Sequence, residues 1–433
     1  MEIFGIIILT FNKKSFKEIE KAKFNRNSFV KPLSESYCFS NICDGIEDLL
    51  IGKTNSKLPR DVFGGLKNEY KNVVLFVIDG FGWSLFNKLY SNNLLPKELL
   101  KKSVISQMTA QFPSTTAAEL TSIHTGMPVE ETGIYEWFYY DKNVGAIIAP
   151  LLFSLPPDKT RNSLLNKNID PKKIFPFSTF YQYLNKKNIS SSVFTPQAFN
   201  PSVYNDILLR GANGIWYENI EDGLTALVER INGKKNKSYN LFYFDKVDSV
   251  GHKKGPLSKE SMDEAINFIS KVNNCLKQLT ARNKTLIIFT ADHGQIKINP
   301  KKTIYLNRLM PSLENKLLKN KFNKPLIPAG GCRDMFLYIK PEYLDWCYKN
   351  LTLKLKNIAK VYKTNDLINM GFWQNKLNFS LLNERVGDIV IIPNKKNLVW
   401  WNNKEEQFTI KHIGHHGGLS KEEMLIPFIC FER

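Results

Sequence analysis

Paired cysteines are missing from this chain. Its six cysteines (Cys38, Cys43, Cys275, Cys332, Cys347 and Cys430) are scattered, only Cys38 and Cys43 lie close together, and no CxxC occurs. That spacing suggests neither a disulfide framework nor a structural zinc site, and a reducing, cytoplasmic setting is expected. Long hydrophobic runs are missing too, so no segment is expected to span a bilayer. The opening MEIFGIIILTF has a short apolar run but neither a basic leader nor a small-residue cleavage site, and no signal peptide is expected there. Acidic residues are outnumbered, 41 against 60 Lys and Arg, for a net charge of +19. Such a charge attracts polyanions or phosphate-bearing substrates. The lysines are dispersed along the chain, however, so a solvated basic surface is the favoured reading, and nucleic acid is a possible partner but not the favoured one. Histidine is scarce, with six in 433 residues, and where the six fall is informative. No internal repeat is visible.

What remains is ordinary for a globular enzyme: 43% hydrophobic and 23% charged residues, in a chain long enough to bury a large core. The stretch Val73 to Ile78 is apolar throughout and reads as a strand buried on both faces, ending on Asp79 with Gly80 and Gly82 after it. Further strands are expected at Val104–Thr109, Ser191–Thr195, Tyr239–Phe244, Leu286–Thr290, Met335–Ile339, Asp388–Ile392 and Leu425–Phe431. Helices are expected at Asn41–Ile51, from Thr116 to Thr125, and over Ser258–Leu279. This alternation implies an α/β layered fold. Residues 1–70 form an N-terminal segment with a candidate edge strand at Ile3–Thr10 and a helix. Residues 71–433 form the main domain. An aromatic-rich lobe inserted at about 131–235, interrupted by core elements, is expected to lie over the sheet. Lys297–Leu326, rich in Lys and Asn, is expected to be a surface insertion.

Chemistry concentrates at strand ends and glycine turns. Asp79 is the first such residue. FPSTTAAELTSIHTG (Phe112–Gly126), DSVGH (Asp248–His252), ADHG (Ala291–Gly294) and GHHGG (Gly414–Gly418) come after it in the chain. Four of the six histidines, His252, His293, His415 and His416, lie in these motifs, and His124 and His412 are the other two. Neutral imidazoles and hard carboxylate oxygens beside small residues are what a zinc or manganese site needs. Each motif alone has a plain structural reading, as a helix cap, a turn or a flexible loop. Their joint occurrence after buried strands is hard to ascribe to packing.

With these motifs in order, the chain resembles the alkaline phosphatase superfamily, and especially its nucleotide pyrophosphatase/phosphodiesterase-like branch, from roughly Ser34 to the C-terminus. The resemblance implies a three-layer α/β/α fold with a mixed, mostly parallel central sheet, and two divalent metal ions at one sheet edge, zinc or manganese. It implies Asp79, Asp292 and His293 as ligands of one ion and Asp248, His252 and His416 as ligands of the other. His416 is preferred to His415 because the family histidine immediately precedes a glycine. Asp245 is the alternative carboxylate and is read as structural. The family's nucleophile begins a helix, with a Thr-Gly pair nine residues later, which selects Thr116 over the adjacent Ser114 and Thr115. A hydroxyl at a helix N-terminus faces backbone N–H groups that favour an anion; the plain alternative is an N-cap. No formylglycine signature of the CxPxR kind is present, which disfavours a sulfatase.

The family's asparagine downstream of the nucleophile has no counterpart in this helix, where the polar residue three positions on is Glu119. A carboxylate there would repel a phosphate unless turned away or paired. Arg333 could clamp a phosphate oxygen instead, or it could pair with Asp334 or another acid. The aromatic run Trp137 to Tyr140, with Trp137 and Tyr139 as substrate-binding candidates, could stack a base or cover a lipid or sugar, or could close the lobe's own core. The resulting expectation is a metal-dependent hydrolase of phosphodiester or pyrophosphate bonds, acting on a small phosphorylated or nucleotide-type substrate through a covalent threonine intermediate. The alternatives are a monoesterase, phosphonate hydrolase or phosphotransferase on the same site, and a non-catalytic basic protein binding phosphate or nucleic acid.

Overall fold

The computed structural model describes residues 10–26, 28–52, 55–67, 69–156, 158, 160–233, 236–280, 284–327, 329–373, 380–402 and 410–433. An eight-stranded sheet runs through its centre, in the order Thr10–Phe11, Val104–Thr109, Leu425–Glu432, Thr285–Thr290, Asn72–Ile78, Ser238–Phe244, Ser190–Pro196 and Ala212–Tyr217. Only Leu425–Glu432 runs antiparallel to its neighbours. Every residue of Asn72–Ile78 is buried, as is every residue of Ser238–Phe244 and Thr285–Thr290. Burial of both alternating side-chain sets means that both sheet faces are covered, and flanking helices such as Trp83–Ser91 and Lys259–Leu276 do this. The mixed, mostly parallel sheet between helices is the α/β fold expected. Register places the site: Ile78 pairs with Phe244, and Val77 with Thr290, so the three central parallel strands end at one level. Asp79, Asp245 and Asp292 therefore emerge together at the carboxyl edge, where ligands of open α/β sheets sit.

Two other cores flank the sheet. In one, aromatic residues of the lobe (Tyr135, Tyr139, Phe153, Phe175) pack with residues from late in the chain, including Phe336, Trp373 and Leu382. Arg385 ties them, with a salt bridge to Asp141 at 3.1 Å and its guanidinium 5.3 Å from the Tyr139 ring centre. The other surrounds a small antiparallel sheet of Met335–Leu337, Ile389–Pro393 and Ala359–Lys363.

Several expectations need redrawing. Ser190–Pro196 is a strand of the central sheet, as expected of a core element interrupting the stretch 131–235, and Ala212–Tyr217 is a second such strand beyond those expected. Met335–Ile339 and Asp388–Ile392 do form strands, but in the separate antiparallel sheet. Lys297–Leu326 is not merely a surface insertion, because Leu306, Leu313 and Leu317 are buried in that third core. In the N-terminal segment, Ile42–Ile51 is a helix whose apolar residues join the main core. Of the candidate edge strand, Thr10 pairs with Val104 at the sheet margin, and residues 3–9 lie outside the described residues. Among the described residues no helix is long and apolar enough to cross a membrane.

Candidate active site

The loops after Asn72–Ile78 and Thr285–Thr290 meet backbone to backbone. A Cβ on Gly82 would stand 2.3 Å from the Gly294 Cα, so no larger residue fits at this crossing. Gly80 has φ +71°, and a Cβ there would lie 2.9 Å from the Asp248 Cα. These glycines bring Asp79, Asp248 and Asp292 into one cluster. Each carboxylate is held from behind. Tyr243 donates its hydroxyl to Asp79 Oδ2, and Gln295 donates its amide to Asp248 Oδ1. Asp292 Oδ1 accepts from Gly80 N at 3.0 Å and His293 N at 2.8 Å. The remaining oxygens, Asp79 Oδ1 and Asp292 Oδ2, are buried with no hydrogen-bond partner among the described residues.

Three imidazoles face these carboxylates through the same ring edge. His252 Nδ1 lies 2.7 Å from Gly414 O, His293 Nδ1 3.1 Å from Gly294 O, and His416 Nδ1 3.1 Å from Ser114 O. A carbonyl oxygen only accepts, so Nδ1 carries a proton in each ring, and a neutral ring here offers its lone pair through Nε2. His293 Nε2 stands 3.3 Å from Asp292 Oδ2 and 3.5 Å from Asp79 Oδ1. His252 Nε2 is 3.1 Å, and His416 Nε2 3.9 Å, from the Asp248 carboxylate. Lone pairs aimed at carboxylate oxygens repel unless positive charge stands between them. Imidazoles fixed through Nδ1 by backbone carbonyls are the arrangement of metal-ligating histidines. Two sets of donor atoms are close enough to hold an ion, Asp248/His252/His416 and Asp79/Asp248/His293, each within 4.8 Å. The donor set fits divalent metal.

Electrostatics agree. Burial, then the charges of Asp292 and Asp248, pushes the Asp79 carboxyl well above its usual range. Burial pushes Asp292 up to about 6. Burial lowers His293 to about 4 and His416 to about 3, which keeps both neutral near pH 7. For His252 burial opposes the charged form, but Asp248 draws its pKa upward. The site is a buried cluster of negative charge short of cations.

The three candidate hydroxyls separate clearly. Ser114 donates to Gly418 O at 2.8 Å and is fully buried. Thr115 donates to Tyr135 O and accepts from Ala118 N as the N-cap of the helix Thr116–Thr125. Thr116, the first residue of that helix, is part-exposed, with Oγ1 3.0 Å from His293 Nε2. The structure thus brings Thr116 together with Asp79, Asp248, His252, Asp292, His293 and His416. His415 turns aside, with Nδ1 3.2 Å from the Cys332 thiol. Glu119 points away from the site, its carboxylate accepting from the Gln111 backbone and side-chain amides, so it does not repel a phosphate at Thr116.

Two substrate-binding expectations fail. Arg333 is fully buried and holds Glu423 in a two-pronged ion pair, Nε and Nη2 each 2.8 Å from a carboxylate oxygen. A buried, doubly engaged guanidinium cannot reach a phosphate. Tyr139 is likewise enclosed, against Tyr135 and Arg385, and does not line the site. Trp137, by contrast, is 38% exposed and lines the cavity of about 610 Å³ that opens over Thr116 and the carboxylate–imidazole cluster. Tyr243 and Gln295 do not stand out from sequence. Gln295 directly follows ADHG, and Tyr243 is the penultimate residue of a strand ending beside the site, so position holds a signal for both.

The sequence profile of the family described as Type I phosphodiesterase / nucleotide pyrophosphatase matches residues 73–419. Venom phosphodiesterase 2 of Crotalus adamanteus is 23% identical over 394 residues, covering 88% of this chain and 44% of that protein. The human ectonucleotide pyrophosphatase/phosphodiesterase family member 5 is 22% identical over 376 residues, covering 82% of this chain and 68% of that protein. The chain thus spans less than half the length of the venom enzymes it matches. Among solved structures, the murine ectonucleotide pyrophosphatase/phosphodiesterase 5 superposes with a TM-score of 0.62 at 18% identity, covering 83% of this chain and 87% of that one. Phosphonoacetate hydrolase from Sinorhizobium meliloti superposes with a TM-score of 0.59 at 17% identity, covering 82% and 89%. A buried carboxylate–imidazole cluster at the carboxyl edge of this sheet, within a profile match of that extent, settles the classification: the chain belongs to the type I phosphodiesterase/nucleotide pyrophosphatase family.

Proposed function

We propose that this protein hydrolyses a phosphodiester or pyrophosphate bond of a small, nucleotide-type substrate, through a covalent threonine intermediate. The observation that carries this reading is the convergence of three imidazole Nε2 atoms and two unpartnered carboxylate oxygens beside the Thr116 hydroxyl. Asp79, Asp292 and His293 would hold one divalent ion, and Asp248, His252 and His416 the other. Bound there, zinc or manganese would supply the Lewis acidity that lowers hydroxyl and water pKa and neutralises phosphoryl charge. Thr116 gives its hydroxyl proton to solvent as Oγ1 bonds to phosphorus, the bond to the leaving oxygen breaks, and that oxygen takes a proton from solvent. Water then displaces Oγ1 from phosphorus, and the threonine regains its proton. Gly80 N, Tyr243 and Gln295 orient the carboxylates throughout, and the helix beginning at Thr116 presents its positive end to the phosphoryl group. A structure of an inactive form of the murine relative contains AMP, which supports a nucleotide-type substrate. The six thiols are all free, which supports a reducing, cytoplasmic place of work.

The test is turnover of bis(4-nitrophenyl) phosphate and of 4-nitrophenyl phosphate by the metal-stripped protein, with and without zinc or manganese. Metal-dependent turnover of the diester that Thr116→Ala abolishes is expected. Preference for the monoester would move the chain to a monoesterase activity. Inactivity on both, with tight retention of nucleic acid at moderate salt, would favour a non-catalytic binding role.

A further inference from the structure

The cavity extends well past the ligand cluster, and its volume of about 610 Å³ lies in the range of sites that enclose a drug-sized ligand rather than a lone phosphate. Much of its lining is apolar, with Trp137, Leu151, Leu152, Phe199 and Leu209 among the residues. The chain carries 60 Lys and Arg residues, yet among the described residues lining this cavity Arg161 is the only one. Its guanidinium lies 5.7 Å from the Phe199 ring centre. The deeply buried arginines of this protein have carboxylate partners: Arg333 has Glu423 at 2.8 Å and Arg385 has Asp141 at 3.1 Å. Arg161 is part-buried, burial already weighs against its charge, and it has no carboxylate within ion-pair distance among the described residues. A guanidinium stays charged in such a place. An unpaired planar cation on an apolar wall is a receptor for an anion, with a fork that fits carboxylate or phosphate oxygens.

We propose that Arg161 reads a second anionic group of the substrate, so that this protein selects phosphodiesters or pyrophosphates bearing an aromatic or apolar arm that ends in negative charge. The scissile phosphoryl group would sit at Thr116, the arm would lie along Phe199 and its neighbours, and the distal anion would meet Arg161. This rests on the proposed hydrolase reading and adds a substrate class to it. It also gives the acidic residues lining the cavity (Asp79 and Asp248) and its one arginine separate tasks.

A matched pair of chromogenic diesters tests this, 4-nitrophenyl phenyl phosphate and 4-nitrophenyl 4-carboxyphenyl phosphate, with the full zinc-loaded chain. They differ only by a second anion. The wild type is expected to favour the carboxylated ester about tenfold or more in kcat/KM, as a charge-assisted contact provides. Arg161→Ala should erase that preference through KM, leaving the plain ester within about twofold, and Arg161→Lys should restore part of it. Equal use of both esters by the wild type, or an equal loss on both in Arg161→Ala, would overturn the proposal. If neither ester is turned over, the hydrolase reading fails, and calorimetric binding of 4-carboxyphenyl phosphate against phenyl phosphate still decides Arg161. Weaker binding of the carboxylated ligand alone in Arg161→Ala supports the proposal, and unchanged binding refutes it. Should Arg161→Ala not fold, Arg161→Lys carries the same comparison.

Discussion

Replacing Arg333 with methionine tests whether this arginine is a structural strut. Arg333 and Glu423 are both fully buried. The Glu423 carboxylate accepts from Arg333 Nε and Nη2 and from Gly418 N at 3.1 Å and Ser420 N at 3.3 Å. Arg333→Met removes the two charged donors and leaves a buried carboxylate with two neutral ones. Breaking a buried ion pair from one side costs about 3–5 kcal/mol. At the usual unfolding entropy per residue, a chain of this length loses about 3–5 °C of thermal midpoint for that cost. Adding Glu423→Leu removes the stranded charge, so the double variant should recover most of the loss, short of about 1 kcal/mol for the helix cap that Glu423 makes with Ser420. Calorimetry on wild type, the single variants and the double variant measures this cycle. KM for the diester should change little in any folded variant. An unchanged melting midpoint in Arg333→Met with a tenfold rise in KM would refute the reasoning and return Arg333 to the substrate.

Other perturbations read other parts of the site. Burial pushes the Glu136 carboxyl up to about 7; between about pH 4.5 and 7 the native chain therefore holds a proton that the unfolded chain releases, and stability falls as pH rises through that window. Glu136→Gln should therefore gain up to about 3 kcal/mol above pH 7 and nothing below pH 4.5, measured by urea unfolding across pH; a gain independent of pH would contradict this. Chelation should lower the melting midpoint, and restoring metal at a hundred times its Kd should return about 2.7 kcal/mol, with no such recovery expected in His416→Ala. Tyr243→Phe should weaken metal retention by about tenfold or more, because it frees the Asp79 oxygen that the hydroxyl holds; retention equal to wild type in a dialysis assay would exclude that role.

Much of this site is legible from sequence because its parts sit where local rules are strict. An apolar run such as Val73–Ile78 has few fates other than a two-sided strand, and the residue after it, Asp79, must lie at the sheet's edge. Histidines in glycine turns stand out in a chain with so few. Arg333 misleads because an arginine beside two glycines looks the same whether it faces a ligand or an acid ninety residues on. Its partner Glu423 lies in a short helical turn with no local mark of that contact. Tyr139 misleads for a similar reason: alternation within Trp137 to Tyr140 does not say which face is core, and the answer comes from Arg385. The strand Ala212–Tyr217 escapes sequence reading because it is a sheet edge with exposed residues and a central glycine, which dilutes its pattern. The small antiparallel sheet around Met335–Leu337 shows the complementary error, since correctly located strands carry no label for the sheet they join.

The strand Leu425–Glu432 lies between Val104–Thr109 and Thr285–Thr290, inside the sheet, although it comes after every other sheet strand in chain order. Until it arrives, those two strands have no hydrogen-bonded bridge between them. A growing polypeptide emerging from the ribosome must therefore keep the margin of Val104–Thr109 from pairing with strangers for about three hundred residues of synthesis, and that of Thr285–Thr290 for somewhat over a hundred. The hydrogen bonds that Leu425–Glu432 makes to both neighbours are thus the ones that close the middle of the sheet, and they form last in order of synthesis.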